Sequence, residues 1–227
     1  MPGKEWNIPQ QTKNKEILLV FLRAPELGQV KTRLAKDVGN ENALALYKQF
    51  VRASLLSAES WAKDAQQREV WVAYYPGNKK TIVENWLGKE YLFLAQSGED
   101  LGCRMANAMA AAFDKGAKSA VVIGTDIPQI EAGHISQAFS SLESEDVVLG
   151  PSPDGGYWLI GASNQRFNTN IFSDVDWGTP SVFQQTLDRC QQFDLTYVQL
   201  GSLLDVDTLS DLKVIDTQGK WLDKVLL

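Results

Sequence analysis

Apolar and polar positions along this chain alternate between two periods. Ile17-Leu-Leu-Val-Phe-Leu22, opened by Glu16, is a continuous run of six apolar residues and reads as a buried strand. Residues 23–30 contain Pro25 and Gly28 and read as a loop. From Asn42 to about Trp61, Leu44, Tyr47, Val51, Leu55 and Ala58 recur at helical spacing and predict one long amphipathic helix. Val70 to Tyr75 is a second strand ended by Pro76-Gly77; a helix over 79–87 and a third strand from Tyr91 to Ala95 follow. After a polar loop over 96–100, Leu101, Met105, Ala108 and Ala112 line one face of a helix that Gly116 terminates. The short apolar run Val121-Val-Ile123 predicts a strand, and its continuation Gly124-Thr-Asp-Ile-Pro128 falls where that strand leaves the sheet. A helix near 131–142, strands over 146–150 and 156–161, a helix over 179–190 and a short strand over 195–200 complete the pattern.

Strand and helix alternate through residue 142, as a parallel doubly wound α/β sheet requires. Around residues 151–178 the pattern loosens to loops and leaves room for an antiparallel strand. The 227 residues suit one large α/β domain and are short for two cores, so a polar tail over 1–15 precedes a domain over 16–227. The net charge of −6 argues against sequence-independent binding to nucleic acid or an anionic membrane. A small anionic ligand stays compatible with it, because a local basic cluster outweighs the global field. Cys103 and Cys190 have no Cys-x-x-Cys spacing, and His134 is the one histidine, which excludes a His-rich zinc site and argues against a Ser-His-Asp triad. No stretch reads as a signal peptide or a membrane span, so the expected compartment is a reducing cytoplasm; the oligomeric state is left open.

Four constellations carry candidate chemistry. Arg23-Ala-Pro-Glu-Leu-Gly-Gln-Val-Lys-Thr-Arg33 follows the first strand, where a loop entering a helix offers backbone N–H groups and helix-dipole charge to phosphate. Arg23, Lys31 and Arg33 add a mixture of fork-shaped and point-like cations that suits a diphosphate, in a segment that is neither a P-loop nor a dinucleotide fingerprint. In Gln96-Ser-Gly-Glu-Asp-Leu-Gly-Cys-Arg-Met105, Gly98 and Gly102 allow close backbone approach to a base or ribose; Asp100 is either part of that site or a helix cap, and Arg104 reads as solvated. Gly150-Pro-Ser-Pro-Asp-Gly-Gly-Tyr-Trp158 sets flexible backbone and Asp154 beside flat aromatic surface, suited to a sugar or its acceptor and equally to a turn. Asp205 and Asp207 share one side of an extended segment, and two nearby carboxylates repel unless a cation or a proton lies between them; Thr208 and Asp211 have the spacing of a capping box. Asp126, at the carboxyl end of its strand, is placed to hold a metal ion on a phosphorylated ligand, or to close a turn before Pro128.

The ordered set Arg-x-Pro-x-x-Gly-x-x-Lys-Thr-Arg-Leu, Gly-x-Asp-Leu-Gly-x-Arg-Met, Gly-Thr-Asp-x-Pro, Asp-Gly-Gly-Tyr, Trp-Gly-Thr-Pro over Trp177 to Pro180, and Asp-Val-Asp-Thr resembles the DUF2064 family of glycosyltransferase-A-like proteins. One branch of that family is called arsenosugar-biosynthesis glycosyltransferase. The resemblance covers about residues 16–215. It implies the nucleotide-diphospho-sugar transferase (GT-A) fold, a three-layer α/β/α arrangement around a mixed, mostly parallel sheet. It also implies a divalent ion, Mg²⁺ or Mn²⁺, on Asp126 with help from Asp205 or Asp207. Lys31-Thr-Arg-Leu34 is also similar to guanylyltransferases of the same superfamily. Two departures stand out: the Asp-x-Asp of metal-dependent transferases is reduced to Thr125-Asp126-Ile127, and the first loop lacks the Gly-Gly of many sugar-nucleotide pyrophosphorylases.

The leading expectation is glycosyl transfer from a nucleotide-diphosphate sugar to a small acceptor. The ion on Asp126 and the cations Arg23, Lys31 and Arg33 would neutralise charge on the departing diphosphate, and Asp154 would contact sugar or acceptor, as general base. The alternatives are nucleotidyl transfer from a nucleoside triphosphate to a phosphorylated small molecule, and nucleotide binding without catalysis.

Overall fold

The structure is a computed structural model that describes residues 14–63, 65–216 and 221, so residues 1–13 of the predicted tail lie outside the described residues. The first apolar run forms β1 (Lys15–Arg23), flanked by two parallel partners, β2 (Arg68–Tyr75) and β4 (Ala117–Ile123). Cover on both faces is why β1 is apolar throughout rather than alternating. Strand β3 (Leu92–Ala95) joins parallel to β2. On the other side, β6 (Tyr157–Ser163) inserts antiparallel between β4 and β5 (Val147–Pro151), and β7 (Tyr197–Gln199) pairs parallel to β5. Among the described residues the sheet has seven strands in the order β3-β2-β1-β4-β6-β5-β7, and the antiparallel intruder expected after residue 151 is β6.

Seven α-helices accompany the sheet among the described residues: α1 (Ala35–Val38), α2 (Asn40–Ala62), α3 (Lys80–Leu87), α4 (Leu101–Asp114), α5 (Ala132–Ser141), α6 (Val182–Gln192) and α7 (Leu209–Ile215). Strand parity divides the core. Leu18, Val20 and Leu22 of β1, with Val72 and Tyr74 of β2, pack with Val51 and Leu55 of α2 and with Ile135 of α5. Ile17, Leu19 and Phe21, with Trp71 and Ala73, pack with Met105 and Met109 of α4 and Leu187 of α6. Helix α2 carries a second buried stripe beyond the predicted one: Leu46 and Phe50 pack with Leu34, Val206 and Leu212. That third cluster fastens the chain's later segment beside the first loop. Helix α6 starts at Val182 rather than Thr179, because Thr179 is held in a turn by its N–H and its Oγ1, which both donate to the Asp176 carbonyl.

The parallel strands β1, β2 and β4 therefore end at one edge of the sheet. Arg23 and Tyr75 stand in register at the ends of β1 and β2, and their odd numbering puts both on the α4 side. No helix among the described residues is long and apolar enough to cross a membrane.

Candidate functional site

A cleft of about 460 Å³ opens at the carboxyl ends of β1, β2 and β4, and Arg23, Lys31, Arg33, Asp126 and Asp207 all line it. The first loop is anchored at its start by Tyr47 of α2, whose hydroxyl accepts from the Arg23 N–H and donates to the Arg23 carbonyl, both at 2.8 Å. Burial, with a smaller contribution from the charge of Asp126, pushes the Tyr47 phenol well above its ordinary range, so it stays protonated and keeps donating.

Lys31 sits at φ +48°, an uncommon backbone conformation for a non-glycine residue. This conformation accompanies an ammonium placed 2.8 Å from Asp126 Oδ1, 2.7 Å from the Val206 carbonyl and 3.4 Å from Asp207 Oδ1, with the lysine side chain only 3% exposed. Arg33, largely exposed, reaches Asp207 Oδ2 at 2.8 Å. The segment around residue 206 is held there by the Val206 N–H, which donates to the Asp126 carbonyl at 2.9 Å. Val206 is fully buried, so its flanking acids face the opposite way, as the alternation of an extended segment requires.

Asp154 and Asp205 line an adjoining chamber of about 540 Å³ that shares Arg33, Asp126 and Asp207 with the first cleft. Tyr157, Trp158 and Trp177 supply its aromatic wall. Asp154 serves the turn as well as the chamber: its Oδ1 accepts from Ser152 Oγ and from the Gly156 N–H, leaving Oδ2 without a partner among the described residues. Burial, then the neighbouring charges of Asp154 and Asp207, push the Asp205 carboxyl up to about 6.

The structure departs from expectation at three places. Gly98 and Asp100 do not line either chamber; they border a separate hollow beside Cys103 and Asn107. Asp100 caps α4 by accepting from the Cys103 N–H at 2.7 Å, and a Cβ on Gly98 would lie 2.7 Å from Cys103 Cβ, so both residues serve the packing of this loop on its helix. The three acids assigned to a metal share a chamber without closing on one point: among the described residues no group of three His, Cys, Asp or Glu side chains is gathered tightly enough to hold a metal ion. All three line the second chamber, but Asp126 and Asp207 are drawn to Lys31, the chain's own cation, while Asp205 lies beside Asp154. Arg104, read as solvated, lines the first cleft with its guanidinium 3.9 Å from the centroid of the Tyr75 ring. Its place in the Gly-x-Asp-Leu-Gly-x-Arg-Met motif was the signal for it. Gln96 also lines this cleft, and its Nε2 is pinned on the Ala73 carbonyl at 2.8 Å.

Comparison with known proteins matches residues 60–179 to the family described as "Uncharacterized protein conserved in bacteria (DUF2064)". No curated protein matches. Among solved structures, a protein from Desulfovibrio desulfuricans G20, provisionally assigned as a nucleotide-diphospho-sugar transferase, is 36% identical over 91% of this chain and 88% of that one, with a TM-score of 0.85. A nucleotidyl transferase from Methanothermobacter thermautotroptrophicus is 16% identical over 93% and 99% of the two chains, with a TM-score of 0.57. Rv0371c from Mycobacterium tuberculosis H37Rv, in complex with manganese, is 12% identical over 89% and 98%, with a TM-score of 0.50. The last two share the fold alone. The family match over more than half of the chain and the 36% identical relative over nine tenths of it agree with the architecture and the motif order: the chain belongs to the DUF2064 family and has the nucleotide-diphospho-sugar transferase fold.

Proposed function

We propose that this protein transfers a glycosyl group from a nucleotide-diphosphate sugar to a small acceptor. The observation that carries this reading is the opposite charge of two chambers that meet at Asp126 and Asp207. The first sets Arg23, Lys31, Arg33 and Arg104 against those two carboxylates, a balance that favours a diphosphate. The second adds Asp154 and Asp205, which have no cation within ion-pair distance among the described residues, to the already paired Asp126 and Asp207 beside an aromatic wall, a balance that favours a neutral or cationic polyhydroxyl ligand. The second reading, nucleotidyl transfer, has the fold likeness to a nucleotidyl transferase in its favour. It would bring a phosphorylated co-substrate against the unpaired carboxylates Asp154 and Asp205, which the chamber's charge opposes.

A divalent cation, Mg²⁺ or Mn²⁺, suits the donor set in part. Asp126 and Asp207 offer hard oxygen ligands, Asp126 Oδ2 has no partner among the described residues, and Asp205 supplies a further carboxylate from the adjoining wall. Bound there with the donor's phosphate oxygens, it would neutralise charge on the departing diphosphate. Lys31 supplies fixed positive charge at the same place, Arg33 lies on the boundary between the chambers, and Asp154 is the group for taking the acceptor's hydroxyl proton through Oδ2.

A thermal-shift panel of nucleotide sugars and nucleoside triphosphates, with and without Mn²⁺ or Mg²⁺, tests the binding half. A ligand at a hundredfold excess over its Kd adds about 2.7 kcal/mol to stability. Product analysis tests the chemistry. The proposal expects nucleoside diphosphate from a sugar nucleotide, abolished in Asp126→Asn. Pyrophosphate released from a triphosphate would establish the second reading. Binding without turnover, undisturbed by Asp126→Ala, would leave a nucleotide-binding protein.

A further inference from the structure

The cations of the first chamber fall into two classes. Lys31 and Arg33 are already committed to Asp126 and Asp207. Arg23 and Arg104 have no carboxylate within ion-pair distance among the described residues, and both guanidinium groups lie against one ring, that of Tyr75, at 5.5 and 3.9 Å from its centroid. Sheet register brings the first two of these residues together, since Arg23 and Tyr75 are paired positions on β1 and β2 and both point to the α4 side. Arg104 comes from the first turn of α4, and its Nε donates to the Gly98 carbonyl at 3.2 Å, which fixes the plane of the guanidinium. The outer N–H groups of both arginines make no hydrogen bond within the described residues. A guanidinium held over a ring face keeps its outer donors free, and those donors match two phosphate oxygens at once.

We infer that Arg104 and Arg23, aligned on Tyr75, form the phosphate grip of the nucleotide donor, and that Lys31 and Arg33 chiefly organise the carboxylates beside it. This rests on the nucleotide-donor reading. It adds a binding residue, Arg104, from outside the basic first loop, and it reassigns the principal anion contact within that loop to Arg23.

Isothermal titration of the full chain with inorganic pyrophosphate, with the diphosphates of uridine, guanosine, cytidine and adenosine, and with the four parent nucleosides separates the ideas. Arg104→Ala should weaken pyrophosphate and the bound nucleoside diphosphate at least tenfold and leave the nucleoside unchanged. Arg104→Lys should recover only part of the loss, because a point charge neither stacks nor binds two oxygens in a plane. Arg33→Ala should cost less than threefold. A circular-dichroism melt of each variant confirms folding, and the lysine variant keeps the helix and the charge if the alanine variant fails to fold. Wild-type diphosphate binding that Arg104→Ala leaves intact, or that it weakens equally for nucleoside and diphosphate, would overturn the grip while sparing the donor reading. Wild-type protein that binds none of the diphosphates would overturn both.

Discussion

Lys31 and Asp205 show how single residues here answer to the charges around them. The Lys31 ammonium is nearly sealed between two carboxylates and a carbonyl, and its backbone holds a φ of +48° that carries a conformational cost. Replacing it by methionine keeps the stem but leaves Asp126 and Asp207 facing one another. Both are partly exposed, at 48% and 36%, so water offsets some of the loss; a destabilisation of about 1–3 kcal/mol in urea unfolding is expected. Mn²⁺ should raise the melting temperature of Lys31→Met more than that of the wild type, since it can replace the lost cation; an equal shift in both would count against that role. For Asp205 the sign runs the other way from an ordinary ion pair. Burial and the charges of Asp154 and Asp207 raise its carboxyl to about 6 in the fold, from an ordinary 3.8. The folded state therefore holds this proton more tightly than the unfolded chain. The group favours folding below pH about 4, and that contribution is lost as pH rises through about 6. Asp205→Asn should accordingly melt higher than wild type at pH 7.5, with the advantage fading as pH falls toward 4.

At the scale of elements, the turn between β5 and β6 decides whether the aromatic wall of the second chamber stands. Gly155 has φ +88°, and a Cβ there would lie 2.0 Å from the Pro180 carbonyl oxygen. Its own carbonyl accepts from the Phe183 N–H at 2.8 Å, which ties the turn to the start of α6. Gly155→Ala forces either strain at this φ or separation of the turn from Pro180, and should cost about 2–4 kcal/mol in chemical denaturation. Strands β1, β2 and β4 were legible in the sequence because burial on both faces leaves a local mark, an unbroken apolar run. The stripe Tyr47, Val51, Leu55 gave α2 for the same reason, and Thr208 with Asp211 gave the cap of α7, confirmed by both reciprocal bonds. The direction of β6 was legible only as a loosening of the pattern. What fixes it is pairing on both sides, Ile123 of distant β4 opposite Leu159 and Gly150 of adjoining β5 opposite the same leucine, and no local period records that. Arg104 escaped for the same physical cause: its partner Tyr75 is placed by sheet register and by how α4 docks. The ionic contact of Lys31 with Asp207 spans 176 positions, so the residue types were readable from spacing while their mutual neutralisation was not.

For the molecule as a whole, a net charge of −6 surrounds a chamber in which four cationic side chains face two carboxylates. A nucleoside diphosphate approaching from solution meets repulsion first and attraction last. The two act over different distances, and salt separates them. The Debye length falls from about 30 Å at 0.01 M to about 10 Å at 0.1 M, so added salt removes the long-range repulsion before it reaches the contacts inside the cleft. Association of the diphosphate should therefore quicken as NaCl rises from about 0.01 to 0.1 M, whereas dissociation should quicken mainly above that, when ions compete for the guanidinium groups. Stopped-flow measurement of both rate constants checks this. An association rate that falls steadily with salt from the lowest concentration would mean that the mouth of the cleft is itself electropositive, with the basic loop rather than the acidic exterior governing encounter. Arg33 is the residue that would distinguish the cases, because among the described residues it is the exposed cation that lines both chambers and its one ion pair is with Asp207. Its alanine variant should slow association under that alternative and leave it nearly unchanged where the acidic exterior governs encounter.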